Sequence, residues 1–296
     1  MKNIILLLFV LSLLFPDVRA QKPITFADDT LTFGNVEMPG IWVSIPETNL
    51  EAIRKSWTKE IQKGTKSKPV TTANDVSIFG ANIKGVHSGP INIESRLLGQ
   101  DTAVYLFAGV EITRGEFATK GTREYDNLKK ALLQFAKDEY LKIAEGQLAN
   151  EEGKLKTMEK ELSSVRKSRT KLDKKVQSAN NSIAKENDNI LSLQKQIKVK
   201  DEAIDALSTD LSLITEPQAR KIVESELKKA QKEKKSMMKK ADAAENRIIR
   251  SNDRIRDSRN SIDLNLQTQD QIGIRINEQK MVIAQYREKV KTIKSY

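Results

Sequence analysis

Residues 212–221 read SLITEPQARK. Pro217 is the last proline of the chain, and the one before it is Pro90. From about residue 123 to Tyr296 the pattern is otherwise helical. Pro217 therefore either kinks one long helix or marks the place where the chain turns back on itself. The hydrophobic period on its two sides decides between these.

Before the proline, steps of seven from Leu141 give one row: Leu141, Leu148, Leu155, Leu162, Arg169, Val176, then isoleucines from Ile183 to Ile204, and Leu211. Its partner row includes Ala144, Met158, Val165, Leu172, Leu193, Leu207 and Ile214. The flanking positions are almost all polar. A seam this narrow belongs to a two-stranded coiled coil rather than to a bundle helix with a wide apolar face. After the proline a second seam starts at Arg220 and Val223 and runs through Leu227, Ile248, Ile255, Ile262, Ile276, Ile283 and Val290 to Ile293. The registers do not join: Ile214 and Arg220 are six residues apart, where a continuous heptad needs four.

The break coincides with a helix-start signal. Thr215 is expected as an N-cap, with Gln218 completing a capping box. Pro217 then falls in the first turn, where its missing N–H costs nothing. Leu141–Ile214 and Arg220–Ile293 each span 74 residues, a rise of ~110 Å at helical geometry. Folded back, Leu172 faces Ile262, Met158 faces Ile276, Leu141 faces Ile293, and Arg169 stands opposite Asn265. Lys200 meets Lys234, a layer tolerable only if both side chains snorkel outward. A parallel homodimer kinked at the proline would leave the register jump unexplained. The expectation is an intramolecular antiparallel hairpin: a helix over 123–214, a turn at 215–219 and a returning helix over 220–296, with the C-terminus back at the head.

The remainder is a different kind of chain. Six of the seven prolines and ten of the thirteen glycines precede residue 123. GIWVSIP (40–46) reads as a strand. ETNLEAIRKSWTKEIQKG (47–64) reads as an amphipathic helix with Thr48 as cap, Leu50, Ile53, Trp57 and Ile61 on one face, and Gly64 as its stop. Three more strands are predicted in DVSIFGANIKGV (75–86), INIESRLLG (91–99) and TAVYLFAGVEI (102–112), with a hairpin turn at GQD (99–101). The resulting β-α-β-β-β order over 21–122 predicts a small α+β head with helices on one face of an antiparallel sheet. Leu128, Leu132 and Phe135 should cover that sheet beside Trp57 and Ile61. The chain as a whole is therefore expected to be mostly α.

At the N-terminus, Lys2 precedes the apolar run IILLLFVLSLLF (4–15) and then PDVRA. This predicts a secretory signal peptide over 1–20, cleaved after Ala20, and hence an exported periplasmic or secreted protein. The run is short for a ~20-residue membrane span, and no cysteine follows it to take a lipid anchor.

Composition narrows the chemistry. There are no cysteines and one histidine, His87, which removes thiol nucleophiles and most zinc and general-base chemistry. His87 lies in a turn, GVHSGP, and reads as solvated or structural. Asp28, Asp29 and Asp101 have no metal-ligand spacing and read as loop acids. Trp42 and Trp57 read as core. No catalytic, cofactor-binding or metal residue is predicted, nor any cofactor. The net charge is +11 and sits on the helical part: residues 151–296 carry 33 Lys and Arg against 23 Asp and Glu, the rest 18 against 17. These charges are interleaved, and base-stacking aromatics are scarce there, so a solvated coiled-coil face is preferred over nucleic-acid binding.

With its leader, WTKEIQKG, YLFAGVEI and the helix opening at EYDNLKKALLQFA, the mature chain resembles exported bacterial envelope proteins of unknown function that join a small α/β module to a long coiled-coil tail. That resemblance implies no activity. The leading expectation is a non-catalytic structural or scaffolding component that binds an envelope or secreted protein; the coiled coil leaves room for a homo-oligomer. A periplasmic holdase chaperone with helical-hairpin arms is the alternative. An efflux adaptor would need β domains on both sides of the hairpin, and an enzyme would need a site that the residues do not form.

Overall fold

The computed structural model describes residues 22–83, 85–100 and 102–296. The expected leader and Asp101 lie outside the described residues. An antiparallel sheet head is followed by two long helices packed against each other, as the heptads predict. The chain divides into two compact units, one formed by residues 1–155 with 278–296, the other by 156–277.

Among the described residues the head holds seven strands: β1 (Phe26–Phe33), β2 (Val36–Pro46), β3 (Val70–Thr71), β4 (Asp75–Ala81), β5 (Ile91–Gln100), β6 (Ala103–Thr113) and β7 (Glu116–Phe117). Helix α1 (Leu50–Gln62) lies between β2 and β3. The order across the sheet is β1-β2-β6-β5-β4-β3, every pairing antiparallel, with β7 against β6. Thus the chain leaves β2, crosses the sheet through α1 and returns as a β4–β5–β6 meander beside β2. The sequence reading omitted β1, whose eight residues hold two adjacent aspartates and stay largely exposed. It is an edge strand with little to bury, joined to β2 through Gly34, whose φ of 62° lies in the left-handed region. Gly99 and Gln100, expected in a turn, instead pair with Val104 and Ala103.

Helix α1 starts one residue later than predicted. Its N-cap is Asn49, not Thr48: the Asn49 Oδ1 accepts from the Ala52 N–H at 2.9 Å, and asparagine is the stronger cap. The helix stops before Gly64, which takes φ 72° as a C-terminal glycine does. Strand alternation sends Ile41, Val43, Ile45, Ile93, Leu97, Leu106 and Val110 to the face that α1 covers. Ile53, Trp57 and Ile61 meet them there, with Leu128, Leu132 and Phe135 from the next helix, in one buried cluster. Trp57 and Phe135 pack edge to face at 5.0 Å, and the Trp57 Nε1–H is satisfied by Ser95 Oγ at 2.9 Å.

Helix α2 (Arg123–Leu213) and helix α3 (Pro217–Lys294) flank the turn. The break is shorter than predicted, and the cap moves. Glu216, not Thr215, is the residue whose carbonyl accepts the first α3 bond, from the Arg220 N–H at 2.9 Å. Pro217 at the first helical position fixes this, because the cap is then the residue before it. In the head unit, Tyr140 and Ala144 of α2 and Val290 and Ile293 of α3 join the sheet's own core cluster. The C-terminal end of α3 therefore packs on the head, as expected.

In the second unit, ion pairs across the hairpin reproduce the register and correct its polar layers. Lys200 pairs with Glu233 at 2.8 Å and Lys234 with Asp201. Each lysine takes the carboxylate beside the other rather than snorkelling away. Asn265 donates to the Val165 carbonyl at 3.0 Å, one turn before Arg169. Arg169 pairs with Asp173 on its own helix at 3.8 Å.

Candidate interaction surfaces

The residues singled out in the sequence are dispersed. His87 Nδ1 lies 3.4 Å from Glu124 at the start of α2. Asp28 accepts from Lys120 Nζ at 2.8 Å and from the Tyr125 hydroxyl, which hold its carboxyl below the usual range. Burial first, and Asp28 next, push the Tyr125 phenol up to about 12. Asp29 accepts from Trp42 Nε1 at 2.9 Å. Both described aspartates are thus engaged by the head itself. Among the described residues, no group of three or more His, Cys, Asp and Glu is placed to hold a metal ion.

Trp42 departs from the core reading. It is half-buried on the sheet face opposite α1, because Ile41 and Val43 take the face that α1 covers. A second, smaller cluster forms around it. Phe107 is fully buried there, 5.4 Å edge-on from Trp42 and stacked at 6.0 Å on Phe33. The Arg96 guanidinium covers Phe33 at 4.9 Å and is anchored by Asp75 at 2.7 and 2.9 Å. The paired residues Gly40 and Gly109 make room for it. A Cβ on Gly40 would stand 2.5 Å from Phe107 Cζ and collide with the Ala108 carbonyl, and one on Gly109 would collide with Met38. Glu94, further along this face, is pushed up by burial and by its like-charged neighbours Asp75 and Glu111, against a lowering bond from Ser77.

The densest polar arrangement is one the sequence reading missed. Glu47, between β2 and α1, has φ 57°, the left-handed region that a branched or bulky residue avoids. That backbone is tied by its N–H to the Thr102 carbonyl at 2.8 Å. Its Oε1 accepts from the Tyr140 hydroxyl at 3.2 Å, and its Oε2 from Gln147 Nε2 at 3.1 Å and Lys289 Nζ at 2.5 Å. Lys289 Nζ also donates to Gln147 Oε1 at 3.0 Å and lies 5.5 Å from the centre of the Tyr140 ring. One carboxylate of the head thus holds both helices of the hairpin base. Burial raises the Glu47 pKa, but the bonds from Lys289, Gln147 and Tyr140 outweigh it and leave the carboxyl below its ordinary range. Burial and the adjacent Glu47 charge push the Tyr140 phenol well up. Both carboxylate oxygens of Glu47 are engaged by donors, so the group binds and orients; it is not poised to take a proton.

One sequence signal could have found this network. Tyr140, Gln147 and Lys289 each directly precede a seam residue, Leu141, Leu148 and Val290. They line one flank of the coiled coil, and a tyrosine on an otherwise polar flank signals a surface that is covered. Glu47 itself carries no such signal.

In the second unit a groove of about 450 Å³ opens between the helices, lined by Lys175, Ala179, Arg254 and Ser258 among others. Ala179 and Ser258 are small seam residues of neighbouring layers, opposite Ile255 and Val176 in this register. Exposed apolar side chains recur along both helices, Leu191, Ile249, Leu264, Ile274 and Met281 among them; Val199, Leu213, Ile222 and Met238 lie on the turn side. No helix is long and apolar enough to cross a membrane among the described residues. In comparison with known proteins, no family model and no curated protein matches the chain.

Proposed function

We propose that this protein is a non-catalytic, exported component of the cell envelope that serves as a scaffold, its helical hairpin mounted on a head that binds an envelope or secreted protein. The observation that carries this reading is the Glu47 network. A loop carboxylate engaging Tyr140 and Gln147 of α2 and Lys289 of α3 ties the head to the hairpin base, which supports a structural role. Holding two elements in a set orientation is what a spacer or adaptor requires. The apolar leader run before PDVRA supports export, and the interleaved charge of the helices supports a protein partner over nucleic acid.

The test is cross-linking in the native cell followed by purification from the envelope fraction. Scaffolding predicts one partner at a fixed ratio and an N-terminus at Gln21. Many unrelated unfolded clients, together with suppression of aggregation of an unfolded outer-membrane protein, would replace it with the holdase reading. An N-terminus at Met1 in mature material would refute export.

A further inference from the structure

The turn end of the hairpin carries its charge in two opposed blocks. Residues 201–219 hold five carboxylates and no lysine or arginine, whereas residues 228–240 hold seven lysines and one glutamate. Inside the hairpin only the border of these blocks is neutralised, by Lys200 with Glu233 and Lys234 with Asp201. Beyond them, Glu202, Asp205 and Asp210 have no cation within ion-pair distance among the described residues, and Lys228, Lys232 and Lys235 no carboxylate.

The heptad fixes which way these groups point. Counted from Ile197, Ile204 and Leu227 in the seam, Glu202, Asp205, Lys228, Lys232 and Lys235 all fall on the outward side of their helices, and all are exposed. On the same side of α2 lies a row of Val199, Ala206 and Leu213, one heptad apart, with Val199 65% and Leu213 74% exposed. This is a second apolar row, turned away from the seam and edged by acids. On α3 the outward row is lysine, with Ile222 exposed at its turn-proximal end.

We propose that this end of the hairpin is a self-association surface whose occupant is a second copy of the chain. Two hairpins meeting by their turns about a two-fold axis place the acidic outward side of α2 in one copy along the lysine row of α3 in the other, and the reverse. Each copy supplies both halves, so one contact neutralises both blocks and covers Leu213 and Ile222 of both chains. An anionic surface would satisfy the lysines alone and would repel the carboxylates beside them. The inference does not depend on the export or scaffolding reading, because it concerns purified protein and residues of the second unit only.

Sedimentation equilibrium of the purified chain, residues 21–296, tests it. The wild type should dimerise, with a Kd at least ~10-fold weaker when NaCl rises from about 50 to about 500 mM. The acid-reversed variant Glu202→Lys/Asp205→Lys/Asp210→Lys should be monomeric, and so should the base-reversed variant Lys228→Glu/Lys232→Glu/Lys235→Glu. An equimolar mixture of the two should dimerise again, because each tip then meets a collar of opposite sign. Helical circular dichroism, unchanged in each variant, separates lost association from lost folding. If a variant unfolds, the salt dependence of the wild type decides alone. A wild type monomeric up to about 200 μM at low salt, or a dimer indifferent to salt, overturns the proposal. So does a mixture that fails to recover. A monomeric wild type that co-sediments with phosphatidylglycerol vesicles would also overturn it, and would assign the lysine row to a lipid surface.

Discussion

At the scale of single residues, Glu47 carries the most consequence. Its folded pKa lies below the ordinary value, so it binds fewer protons in the native than in the unfolded state near pH 4. Its stabilisation is fully present above the unfolded value of about 4.3 and is lost as pH falls through the lowered folded value. Glu47→Gln should therefore lower stability at pH 7 by about 1–2 kcal/mol and reduce the loss of stability on acidification, both read from urea unfolding between pH 3 and 7. Lys289→Met should cost at least as much, since it leaves a half-buried carboxylate without its cation. On the opposite face, Gly40→Ala drives a Cβ into the Ala108 carbonyl and the Phe107 ring. Backbone cannot yield as a side chain does, so a loss on the order of 1–3 kcal/mol is expected, with a matching fall in the thermal midpoint of the head.

At the scale of elements, the two sides of the turn respond differently to proline. Pro217 occupies a first-turn position, where it removes no helical hydrogen bond. Pro217→Ala should change stability by no more than about 0.5 kcal/mol. Ile190→Pro or Ile255→Pro, in helix interiors, should each cost about 3 kcal/mol or more and reduce helical circular dichroism. These elements were also the most legible in the sequence. A seven-residue period repeated over many turns leaves one reading, and a register jump at a proline leaves one place for the turn. The strands were legible where they bury one face, as β5 and β6 do. They were not where the chain forms an exposed edge, as β1 does, because alternation reports burial rather than pairing. Trp42 was misplaced for a related reason: the sequence shows that it alternates with Ile41 and Val43 but not which set faces the helices. The Glu47 network could not be read at all, since it depends on a loop dihedral and on residues about 100 and 240 positions away.

At the scale of the whole molecule, the central claim is that α2 and α3 of the same chain pair antiparallel, with Pro217 starting the return. The cross-hairpin contacts Lys200–Glu233, Asp201–Lys234 and Val165–Asn265 support that register in the second unit. Gln279, which donates to both the Glu151 carbonyl and carboxylate, supports it in the first. The chain has no cysteine, so engineered disulfides report on pairing without interference. The most direct measurement is oxidation of Leu172→Cys/Ile262→Cys, compared with Leu172→Cys alone. An antiparallel hairpin predicts an intrachain disulfide in a species of monomer mass, joining the peptides around 172 and 262, and little cross-linking of the single variant. Efficient interchain linkage of Leu172→Cys to itself, with no intrachain bond in the double variant, would contradict the hairpin and establish a parallel dimer in its place.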